Sequence, residues 1–71
     1  MEIVQFLYTN HKGITRRRMV QPLRLEFTST AWYPEPQWIL FAADVESGEV
    51  RGFAMERISQ WQRLTLIEDK A

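Results

Sequence analysis

Hydrophobic positions in this chain come in short runs separated by turn-forming residues, a rhythm that predicts strands. Residues 37–45 are apolar at nearly every position, as expected for a central strand covered on both faces. Glu46-Ser47-Gly48-Glu49 reads as a tight hairpin turn and residues 50–54 as the return strand, which puts Arg51 and Phe53 two apart and therefore on one face. Residues 55–58 are too few for an independent helix and predict one helical or 3₁₀ turn. Towards the N-terminus, residues 2–9 are rich in β-branched and aromatic side chains, with apolar groups at both parities, and read as a strand. Asn10-His11-Lys12-Gly13 follows as a turn in which Asn10 and Gly13 tolerate positive φ.

Residues 15–27 alternate. Met19, Leu23, Leu25 and Phe27 share one parity and Arg16, Arg18, Arg24 and Glu26 the other, which predicts a strand with a core face and a wet, arginine-bearing face. Val20 and Gln21 interrupt that pattern. Because Pro22 cannot donate to a ladder, a bend or bulge is expected there. Residues 28–36 form a loop whose two prolines disfavour helix at the residues before them. Within it, Trp32 and Tyr33 either fold back as a lid over an open barrel end or stand out as an aromatic shelf. Residues 60–67 read as a last strand and 68–71 as a frayed tail. Five strands joined by hairpins predict an all-β fold: a small five-stranded SH3-like or Sm-like barrel with one short helical turn, a single domain over residues 1–71, with Trp38 and Phe53 in its core.

Length narrows the picture. A chain of 71 residues hides only about 60% of the surface its unfolded form exposes, so its stability margin is thin and self-association would help it. The absence of cysteine excludes disulfides, thiol catalysis and Cys-ligated zinc, and it fits a reducing compartment, with cytoplasm as the default. No apolar run approaches the roughly 20 residues of a spanning helix, so no membrane association is expected.

Candidate chemistry is sparse. His11 stands alone in a turn and reads as a solvated turn residue; no second group at a telling spacing pairs with it as nucleophile or base. One histidine without cysteine is a poor start for a metal site, and Gly13, Gly48 and Gly52 form no phosphate-loop or dinucleotide pattern. Neither enzymatic activity nor a cofactor is expected. Nine basic and nine acidic residues cancel, which removes a whole-molecule argument for nucleic acid binding. Seven of the nine cations are nevertheless arginines, whose rigid fork of donors suits phosphate or carboxylate. Arg16 and Arg18 fall on one strand face, which Arg51 would meet if the barrel closes. The same residues also read as a solvated face with cross-strand partners such as Glu26 or Glu49.

Taken in order, Tyr8, Gly13, Arg18-x-Val20-x-Pro22, Leu25, Trp38-Ile39-Leu40, Asp44, Arg51-x-Phe53 and Glu56-Arg57-Ile58 resemble the WYL domain, named for a Trp-Tyr-Leu triplet. The likeness covers roughly residues 3–64, with Ile39 in place of the central Tyr of the triplet and residues 32–36 resembling an insertion. It implies an SH3-like or Sm-like barrel that senses a ligand, often a nucleotide or single-stranded nucleic acid, usually behind a helix-turn-helix domain in bacterial and phage-defence transcription regulators. No such helices precede the barrel here, so a stand-alone module is expected. The family's basic pocket maps onto Arg18, Arg51 and Arg57, with Tyr8 and Trp38 also on matched positions. Adding Arg16 and Trp32 gives the candidate ligand-binding set: Arg16, Arg18, Arg51 and Arg57 for phosphates, and Tyr8 or Trp32 for stacking bases. The alternative is a structural or protein-interaction barrel, partnered by another protein or by itself, that uses the scaffold without a nucleic acid ligand.

Overall fold

Two side chains set the hairpins. Asn10 Oδ1 accepts the backbone N–H groups of Lys12 and Ile14 while Gly13 takes a φ of 82°, and Asp44 Oδ1 accepts those of Glu46 and Ser47 while Gly48 takes 77°. Short polar side chains that bond their own backbone, followed by a residue free to adopt positive φ, reverse the chain within a few residues. The computed structural model describes residues 2–64. It contains β1 (Ile3–Thr9), β2 (Thr15–Thr28), β3 (Gln37–Asp44), β4 (Val50–Ala54), a 3₁₀ turn (Met55–Arg57) and β5 (Ile58–Leu64). The last strand starts at Ile58, earlier than the sequence pattern suggests, because Ile58 pairs with Tyr8 and packs against the core. Its expected continuation over 65–67 and the tail 68–71 lie outside the described residues.

The strands are all antiparallel, in the order β4-β3-β2-β1-β5. With neighbours about 4.8 Å apart, β1 and β4 would lie roughly 14 Å from each other in a flat sheet. Their Phe6 and Phe53 rings instead meet edge to face with centroids 5.3 Å apart, so the sheet rolls on itself as the barrel expectation requires. Closure is incomplete: β4 and β5 share no ladder among the described residues, and the 3₁₀ turn spans the seam.

The bend in β2 falls where Pro22 predicts it. Its register with β3 shifts between Pro22 and Arg24, leaving Leu23 without a direct partner. This bulge inverts the parity of the strand. Directly opposed residues share a face, so Val20, opposite Val4 and Asp44, looks inward before the bulge, whereas Leu25, opposite Leu40, does so after it. The expected core face is thereby split. Val20 is fully buried; Met19 lies on the outer side, and Leu23, Leu25 and Phe27 are exposed on the part of the strand that has only β3 beside it among the described residues. Trp38 also departs from its expected place: it is 53% exposed, edge-on to Phe27 at that end, while Phe53 is 2% exposed in a core of Val4, Phe6, Tyr8, Val20, Leu40 and Ala42.

A second bulge lies between β1 and β5, where the register shifts between Gln5 and Leu7 and Gln60 adopts a φ of 55°. An extra residue on one strand re-aims its side chains. Here it lays Trp61 flat on Phe6, with centroids 5.6 Å apart.

Candidate ligand-binding site

The inward face of β2 changes from apolar to cationic as it runs back from the core. Val20 is followed on that face by Arg18, opposite Phe6, and then by Arg16, opposite Tyr8. On β4, Phe53 is likewise followed by Arg51. Rolling the sheet brings Arg18 and Arg51 to the same end of the barrel, where both line a cavity of about 430 Å³. That is within the usual range for small-ligand pockets, about 300–1,000 Å³.

Asp44, at the end of β3, organises the charges. Arg18 Nη1 lies 3.6 Å from Asp44 Oδ2, and the Arg18 guanidinium sits 5.8 Å from the centre of the Phe53 ring. The Asp44 carboxyl is held below the usual carboxylate range, chiefly by the Ser47 N–H and, against the opposing effect of burial, also by the Glu46 N–H, Arg18 and Arg51. Arg51 reaches back to Glu49 Oε1 at 3.1 Å on the exposed rim. Arg18 Nε–H is buried and has no partner among the described residues, a donor left over beside the cavity.

The same cavity is also lined by aromatic rings. Trp32 is 64% exposed and stacks on His11, with centroids 4.1 Å apart and rings within 11° of parallel. Neighbouring Tyr33 folds inward. Its N–H bonds Thr30 Oγ1, and its hydroxyl accepts a hydrogen bond of 2.9 Å from Tyr8. The loop therefore divides the two roles weighed for it: Tyr33 is the lid residue and Trp32 the exposed aromatic.

Tyr8 holds that arrangement from below. It is 5% exposed, packs edge-on against Phe6 and Phe53, and accepts the Ala54 N–H at 2.9 Å while donating to Tyr33. Burial holds its hydroxyl protonated well above the usual tyrosine range, and the bond to Tyr33 acts in the same direction. No face of the ring is free to stack a base. Arg57 works alongside it: Nη1 donates to the carbonyls of Thr9 and Asn10, and the guanidinium lies 5.4 Å from the centre of the Tyr33 ring.

Of the residues singled out from sequence, Arg18, Arg51, Tyr8 and Trp32 thus line one cavity, Arg57 braces its wall from behind, and Arg16 is exposed outside the lining. Arg18 is only partly exposed, so its place differs from the freely solvated one the alternation suggested. His11, Tyr33 and Asp44 are the participants that sequence reasoning left without a site role. Their turn and loop chemistry was legible, but contacts such as the one from residue 11 to residue 32 have no local signature. Among the described residues no three His, Cys, Asp or Glu side chains gather as a metal site, and no helix is long and apolar enough to cross a membrane.

The family model for the WYL domain matches residues 2–63. No curated protein and no solved structure matches the chain.

Proposed function

This chain belongs to the WYL domain family, and from that premise we propose that it is a regulatory ligand-sensing module whose cavity takes a nucleotide or a short stretch of single-stranded nucleic acid. The observation that carries the reading is the composition of one cavity, whose lining includes Arg18 and Arg51 together with the stacked Trp32 and His11. Phosphate oxygens pair with the guanidinium groups of Arg18 and Arg51, and a base extends the aromatic stack. Stacking falls to Trp32 because the Tyr8 ring is enclosed. A signal passes when the ligand competes with Asp44 for Arg18, which loosens the β3–β4 turn that Asp44 caps. The role is sensing, in the service of transcription control, rather than catalysis.

Trp32 reports binding directly through its fluorescence. Titration with nucleotides and short oligonucleotides, at low and moderate salt, is expected to quench it. Arg51→Ala removes an exposed side chain, so it should change stability by no more than about 1 kcal/mol. Affinity should fall by roughly ten- to a hundredfold, the value of a charge-assisted hydrogen bond, and its salt dependence should become shallower. If none of these ligands perturbs Trp32 at millimolar concentration, the proposal fails.

A further inference from the structure

The strand β2 is paired unevenly. Thr15 to Val20 pairs with β1 and Val20 to Thr28 with β3, so from Gln21 to Thr28 the strand has β3 on one side and no ladder partner on the other among the described residues. A free edge of this length is commonly blunted by lysine, proline or a bulge. Here Pro22 and the bulge guard only its beginning, and beyond them the edge carries exposed Leu23, Leu25 and Phe27.

We propose that this edge joins two copies of the chain, pairing residues 23–27 antiparallel about a two-fold axis through Leu25. The charges select the partner and the register. Arg24 and Glu26 flank Leu25 on the outer face, where Arg24 lies 4.4 Å from the centre of the Phe41 ring opposite it. With the axis at Leu25, each Arg24 meets the Glu26 of the other copy, each Leu23 meets a Phe27, and Leu25 meets itself. Moving the axis to Arg24 or to Glu26 would set like charges directly opposite, which is unfavourable. Placing it between two residues would bring Arg24 and Glu26 onto the face of the other copy's leucines, which the one-residue rule of strand register forbids. A two-fold axis is the commonest closed symmetry, and self-complementarity is its requirement. The contact is small for a permanent interface, so the dimer should depend on concentration.

Within one chain Arg24 Nε already bonds Glu26 Oε2, so losing that pair must be separated from losing the dimer. Sedimentation velocity across a concentration series does so. Wild type should pass from monomer to dimer. Arg24→Glu and Glu26→Arg should each weaken self-association by roughly tenfold or more, because two opposed pairs become like-charged. An equimolar mixture of the two variants should dimerise again, since each acid of one chain then faces an arginine of the other although neither chain regains its internal pair. The double variant Arg24→Glu/Glu26→Arg, which keeps an internal pair with the charges exchanged, should dimerise as wild type does and guards against misfolding of either single variant. A wild type that is monomeric throughout leaves the edge to another protein and overturns the proposal. So would single variants that dimerise like wild type, or a mixture no more associated than its components.

Discussion

Replacing Tyr8 with phenylalanine tests the central joint of the molecule. The ring would keep its edge-on contacts with Phe6 and Phe53, so the apolar core should change little. What disappears is one oxygen with two tasks: accepting the N–H of Ala54, which is fully buried, and donating to Tyr33. An unsatisfied buried donor costs about 1–3 kcal/mol, whereas an ordinary hydrogen bond contributes about 0.5–1.5. Tyr33→Phe removes only the second interaction and leaves the Ala54 bond in place, so it should cost distinctly less. For a domain of this size stability is on the order of 5 kcal/mol and the urea dependence roughly 1 kcal/mol per molar. Tyr8→Phe should therefore lower the unfolding midpoint, followed by tryptophan fluorescence, by about 1–3 M urea. A loss below about 0.5 kcal/mol, or one no larger than that of Tyr33→Phe, would refute the claim that this hydroxyl joins β1 to β4 across the open side of the barrel.

Two further outcomes follow from burial and charge. Phe53→Ala should cost about 3–5 kcal/mol, enough to unfold much of the population, while Trp38→Ala at the exposed end should cost under about 1 kcal/mol; equal losses in urea melts would contradict the placement of Trp38 outside the core. Asp44 has a depressed carboxyl pKa, so its contribution is fully present above the ordinary value of about 3.9 and is lost as pH falls through the lower folded value. Asp44→Asn should be less stable than wild type near neutrality, and the difference should shrink in urea melts carried towards pH 2; a gap that does not narrow with acid would assign the turn to packing alone.

Much of the fold was open to reading because its signals are local. Asn10 with Gly13, and Gly48 after Asp44, carry turn chemistry within a few residues, and Met55–Arg57 is too short for anything but a tight turn. Pro22 announces a bend for the same reason: a missing N–H is a property of the residue itself. Arg18 and Arg51 were also legible as candidates, Arg18 from the alternation that put it on a polar face with Arg16, and Arg51 from its place two residues before Phe53.

The sequence by itself therefore determined the elements, their turns and the residues able to carry charge. Only the tertiary structure decided which side of each element is inside. A one-residue shift at the Pro22 bulge exchanges the faces of the β2 residues after it, and that exchange is set by pairing with β3 rather than by composition. Trp38 and Phe53 are both large and aromatic, yet one lies beyond the end of the core and the other in its middle. The His11–Trp32 stack and the Tyr8–Tyr33 bond arise in the same way, from strands and loops far apart in the chain that meet when the sheet rolls. Periodicity reports the spacing of side chains along a strand; where that strand crosses its neighbours is fixed by long-range pairing, which no single segment encodes.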